Sequence, residues 1–225
     1  MKSIDTIRLR IMLGWLGLLL PWIVLFFCIV YDEVPYHLVP NSISETYYYH
    51  TTITPFMIIL GSAGLLLMCY KGYTKTDDIL NTITGIMALG VCLFPCMPEW
   101  HLWADGDPVD MMVGTFQLPY QTSSLLHNGC AIIFFVLLSI NCLFLFTKSS
   151  GAMTKKKKIR NIIYRVCGIG MLVAIIVLAI GVITGADIHG LVWFVEAIAL
   201  MFFGIAFLTK ADVYPWLFCD PKEEK

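Results

Sequence analysis

The sequence predicts an all-α, polytopic membrane protein, a bundle of six transmembrane helices, and three observations predict it. Of 225 residues, 58% are hydrophobic and only 14% charged, where a soluble domain carries roughly 25% charged; mean hydropathy is +0.78. Residues 11–31, 46–70, 79–98, 111–147 and 166–186 contain no charged side chain, and 188–209 is interrupted only by Glu196. A membrane helix needs ~20 apolar residues. Finally, all 15 Lys and Arg fall at one set of alternate span ends. Spans are expected at about 11–30, 53–70, 80–97, 125–146, 163–184 and 190–209, in one transmembrane domain covering 1–225. The remainder leaves no room for a soluble enzyme, a nucleic-acid-binding module or a secreted disulfide scaffold.

Span one follows Lys2, Arg8 and Arg10. Its apolar run exceeds the 7–15 residues of a signal peptide and has no small-residue cleavage site, so an uncleaved helix is expected. Span two is expected to begin early. Ser42 and Glu45 have capping-box spacing, so one helix should run from about 43 to 71, kinked at Pro55. Span three should stop at Pro95 and Pro98. Residues 111–124 are too polar for membrane core. Ser123 or Ser124 can cap span four, which places His127 in its first turn. The loop before span five carries Lys155, Lys156, Lys157 and Lys158. Span six follows the turn around His189. The two halves share no pattern that would mark an inverted repeat.

Charge sets the orientation. Segments 1–10, 71–79, 147–162 and 210–225, with Arg165 on the same side, hold every basic residue. Segments 31–52, 98–124 and 185–189 hold none. Cytoplasmic loops carry the Lys/Arg excess, so both termini are expected in the cytoplasm, with the protein in a cell membrane, the inner one in a bacterium. The tyrosines avoid span centres, as amphipathic rings at the headgroup level do.

All five histidines (His37, His50, His101, His127 and His189) and nine of the sixteen acidic residues lie on the expected outer side. Imidazole and carboxylate suit zinc and proton handling. The ordinary reading is a solvated acidic face, and for His37, His101, Asp105, Asp107 and Asp110 it is preferred. Glu196 is different. It lies seven residues from His189, about 10 Å into span six at 1.5 Å per residue, on one stripe with His189 and Trp193. A carboxylate there is costly unless paired, neutral or hydrated. Structural and working roles are equally open for it. His50, His127 and His189 are the candidate metal ligands, with zinc the metal that fits; Glu45 and Glu196 are the candidate catalytic carboxylates.

Three functions remain open. The first is a binding protein for a lipid or a partner, with structural carboxylates. The second is a metal-dependent membrane hydrolase acting on a lipid. The third is a proton-coupled transporter using Glu196. The lysine run sets topology and is also expected to attract anionic inner-leaflet lipid. The cysteines read mainly as small buried hydrophobes; a disulfide among Cys28, Cys92, Cys96 and Cys130 is the alternative.

Ser42-Ile-Ser44-Glu45, then Tyr70-Lys71-Gly72-Tyr73, then the Gly85 to Gly90 span ending Leu93-Phe94-Pro95, resemble an uncharacterised bacterial family of six-helix membrane proteins, loosely similar to the DRAM-like proteins. The resemblance implies topology and no activity. A fainter similarity is to the ceramidase-like membrane hydrolases, which bind zinc through histidines near one membrane face. Here six spans stand in place of seven, and His189 has no paired histidine.

Overall fold

The computed structural model describes residues 4–31, 39–97, 111–148, 154–185 and 188–213. His37, His101, Asp105, Asp107 and Asp110 lie outside them. Among the described residues are six α-helices: α1 (Ile4–Val30), α2 (Ile53–Cys69), α3 (Lys75–Leu93), α4 (Tyr120–Ile140), α5 (Lys155–Thr184) and α6 (Leu191–Ala211). A short hairpin pairs β1 (Met112–Val113) with β2 (Leu118–Pro119) in antiparallel register. Five helices, all but α2, are long and apolar enough to cross a membrane. With 17 residues, α2 reaches about 25 Å at 1.5 Å per residue, short of a ~30 Å hydrocarbon core.

The helices form a closed ring. Each packs against its neighbour in sequence, and α6 returns to pack on α1. Two glycine pairs allow the closest approaches. A Cβ on Gly204 of α6 would fall 2.7 Å from the Gly14 carbonyl oxygen of α1, and one on Gly64 of α2 would fall 3.0 Å from the Gly85 carbonyl of α3. Small residues at helix crossings are how membrane helices pack closely. Inside the ring, edge-to-face rings run from Phe134 through Phe203 and Phe207 to Phe146 and Tyr164, with centroids 4.9–6.4 Å apart. Outside it, Ile162, Val166, Ile169, Val173, Ile176 and Ile180 of α5 are exposed, an apolar surface compatible with lipid.

Several expected boundaries move, each for a local reason. The helix expected over 43–71 is broken. Residues Ser44–Tyr48 form a 3-10 turn, Tyr49 is extended, and α2 begins at Ile53. Polar side chains there bond the backbone in place of a helical ladder: Thr46 Oγ1 donates to the Ile43 carbonyl (2.6 Å) and Thr52 Oγ1 to the Thr46 carbonyl (2.7 Å). Pro55 is the third residue of α2, where its missing N–H breaks no helical bond. It starts the helix and does not kink one.

Helix α3 begins at Lys75, where Thr74 and Asp77 form a capping box, and ends at Leu93. Phe94 precedes Pro95 and is extended, as a residue before proline prefers. Ser123 does not cap α4. Its hydroxyl donates to the Pro95 carbonyl (2.8 Å), and the helix starts at Tyr120 straight after the hairpin. His127 is therefore in its third turn. A π-helical turn, Asn141–Leu145, ends α4. The four lysines are the first turn of α5, where the Lys157 N–H donates to Thr154 Oγ1 (3.1 Å). No disulfide joins the described cysteines, and Cys92, Cys142 and Cys167 are buried.

Candidate functional site

Residues 39–49, which include the 3-10 turn, wrap onto the start of α6. Asn41 makes the join. Its carbonyl accepts from the Trp193 N–H (2.8 Å), and its Oδ1 accepts from the Gly190 N–H (3.3 Å). Gly190 has φ +73, and a Cβ on it would meet Val39 Cγ2 at 2.8 Å. Only glycine combines that backbone conformation with that approach.

This docking brings Glu45 and Glu196 to one short stretch of backbone. The Glu196 carboxylate accepts from the Ile43 N–H at 2.7 Å. Glu45 is 2% exposed; its carboxylate accepts from the Asn41 N–H (2.8 Å) and the Tyr49 hydroxyl (2.7 Å). The Glu45 N–H in turn donates to Ser42 Oγ (2.9 Å). Only one half of the expected capping box is thus present. Ser42 bonds Glu45, but the Glu45 carboxylate passes Ser42 and takes Asn41.

The amides of Asn41, Ile43 and Glu45 are all satisfied by these side chains. A helical start leaves such N–H groups without helical partners, and a buried one is costly. The two carboxylates meet this demand, and charge-assisted bonds of this type are stronger than neutral ones. Beside them, a cavity of about 30 Å³ is lined by Leu20, Ser44, Phe56, Phe134, Glu196 and Leu200, among others. One water needs ~10–15 Å³, so the cavity has room for water and for little else.

Two of the three described histidines meet backbone carbonyls. His127 is buried, and its Nδ1 lies 2.7 Å from the Phe94 carbonyl, tying α4 to the end of α3. His189 is not on α6. It lies in the preceding turn, with Nε2 2.9 Å from the Val39 carbonyl. His50 is exposed between the 3-10 turn and α2. Among the described residues no three of His, Cys, Asp or Glu are grouped to hold a metal, and His50, His127 and His189 are all described. Of the expected stripe, Trp193 is buried and Glu196 lines the cavity.

The chain matches no protein-family model, curated protein or solved structure. What the arrangement can do is therefore read from its own chemistry. Two carboxylates that accept backbone N–H bonds can anchor a segment. Sequence reasoning missed Asn41, whose signal is the left-handed glycine it serves 149 positions away. It also missed a polar cluster at the opposite end. There the Arg10 Nε–H donates to the Tyr70 hydroxyl (2.9 Å) and Nη1–H to the Lys210 carbonyl (3.3 Å). In the sequence, Arg10 and Lys210 carry only the signal of topology-setting charges.

Proposed function

We propose that this chain is a multi-pass integral membrane protein with both termini in the cytoplasm, in the inner membrane if its cell is bacterial. It acts by binding a lipid or a partner, and Glu45 and Glu196 serve its structure. The observation that carries this reading is the Glu196 carboxylate on the Ile43 N–H at 2.7 Å. A carboxylate bound by backbone donors holds a segment in place, where a proton carrier must release its partners in each cycle. The metal-dependent hydrolase is not favoured, because its three histidines are not grouped. Orientation rests on the basic side chains at the starts of α1, α3 and α5 and the ends of α2, α4 and α6. Lys155 and Lys158 are exposed at the start of α5, which supports contact with anionic inner-leaflet lipid.

Reporter fusions test the topology. A fusion at residue 104 should behave as external and one after residue 225 as cytoplasmic; the reverse pattern, or one location for both, refutes it. Zinc loading of the purified chain tests the binding reading. Less than stoichiometric zinc is expected after excess is removed. One zinc per chain, lost on replacing His50, His127 and His189 by alanine, would restore the hydrolase.

A further inference from the structure

The cluster around Arg10 encloses a second cavity, larger than the one beside Glu196. It measures about 110 Å³ and lies where α1, α2, α3, α4 and α6 meet at the basic end of the ring. At ~10–15 Å³ per water, that is space for a group of several heavy atoms. Three of its lining groups are cationic, Arg10, Lys71 and Lys210, and one, Asp77, is anionic; Lys71 is exposed and pairs with Asp78 at 3.8 Å, which leaves Arg10 and Lys210 as the buried cations. The Asp77 carboxylate is already engaged. It accepts from Lys148 Nζ (2.6 Å), Thr74 Oγ1 (2.9 Å) and the Tyr73 N–H (3.0 Å).

Two of these cations are buried, and burying a charge is costly. Arg10 is 7% exposed and Lys210 6%. Arg10 has no ion pair with a carboxylate among the described residues; its bonds go to a phenol and a carbonyl. Lys210 Nζ donates to the Phe146 carbonyl (3.1 Å) and faces the rings of Tyr73, Phe146 and Tyr164. Buried cations call for an anion or an equivalent set of acceptors.

A second observation points to a polar occupant. Asn81 is fully buried and lines the same cavity, yet its Oδ1 has no hydrogen-bond partner among the described residues. An orphan acceptor beside two cations fits a ligand that is anionic and also carries a hydrogen-bond donor. Phosphate groups have that chemistry: anionic oxygens for the guanidinium fork and ammonium, and a hydroxyl for Asn81, either the P–OH of hydrogen phosphate or the hydroxyl of a glycerol headgroup.

We propose that the cavity formed by Arg10, Asn81, Lys210 and Tyr70 binds a phosphate or phosphate-ester group, with a lipid headgroup and free phosphate as its two sources. The headgroup source rests on the membrane reading above, which the reporter fusions test separately. The phosphate chemistry does not depend on it.

The full-length chain in neutral detergent is titrated with three probes while its unfolding temperature is followed: inorganic phosphate, short-chain phosphatidylglycerol and short-chain phosphatidylcholine. Saturable stabilisation by phosphatidylglycerol alone identifies a lipid headgroup, and equal stabilisation by phosphate identifies the free ion. In Arg10→Gln the apparent affinity should fall at least tenfold. Asn81→Asp keeps the side-chain shape and adds a negative charge, so it should fold and lose binding to the same degree. The double variant Lys155→Gln/Lys158→Gln, on the surface run, should bind as the unaltered chain does. The proposal is overturned if neither phosphate nor phosphatidylglycerol stabilises the chain, if phosphatidylcholine does so equally well, or if Asn81→Asp binds unchanged.

Discussion

Gly64 of α2 and Gly85 of α3 face each other across the helix crossing, so that a Cβ on Gly85 would fall on the Gly64 carbonyl oxygen and on Met68. The ring's tightest local packing thus depends on two missing methyl groups. Gly85→Ala must push the helices apart, and overpacking of this kind costs about 1–3 kcal/mol. Gly61 is the control: it lies on α2 with open space where its Cβ would be. Gly61→Ala should be neutral or slightly stabilising, because alanine is the better helix former. Unfolding in detergent by heat or denaturant reads both.

Glu196 should tolerate glutamine and reject leucine. The amide oxygen of Glu196→Gln can still accept from Ile43, whereas Glu196→Leu strands that N–H group. Each buried unsatisfied group costs ~1–3 kcal/mol. Hydrogen exchange over residues 41–46 should accelerate strongly in the leucine variant and little in the glutamine variant. Equal acceleration in both would show that the charge itself is needed.

Tyr48 makes stability sensitive to alkaline pH. Its hydroxyl donates to the Cys96 carbonyl at 2.5 Å, and burial first, with the Cys96 and Tyr47 groups after it, pushes its pKa well above the usual 10.0. The folded chain therefore holds this proton at a pH where the unfolded chain has released it. The stabilisation is complete below about pH 10 and is lost as pH rises above that. Tyr48→Phe should remove up to one proton's worth of this slope, ~1.4 kcal/mol per pH unit. Some slope should remain, because burial raises the Tyr47 pKa as well. Thermal unfolding at a series of pH values from 8 to 11 measures it.

Much of the fold was legible because it rests on properties that act residue by residue. Apolar runs marked the helices, and Lys and Arg marked one end of the bundle. Capping was legible where partners are close in sequence, and misleading where they are not. Ser42 and Glu45 have the spacing of a box, yet Glu45 bonds Asn41, and Glu196, 153 positions from Ile43, supplies the missing acceptor. Pro55 suggests a kink in the sequence, but the break comes before it, from the side-chain bonds of Thr46 and Thr52. The three histidines shared an end of the bundle, but a shared end says nothing about which ring nitrogen meets which carbonyl. Arg10, Tyr70 and Lys210 stand on three helices, so only the ring closure brings them together.

That closure has a consequence for biogenesis. The bond from Arg10 to the Lys210 carbonyl joins residues 200 positions apart. At ~5–20 residues per second of synthesis, the first helix must wait roughly 10–40 seconds for the last. Through that interval its glycine face has no mate, and its arginine has the Tyr70 hydroxyl alone. A ribosome stall or a truncation before α6 would leave the nascent chain with an open seam, available to quality-control proteases or to a neighbouring polypeptide.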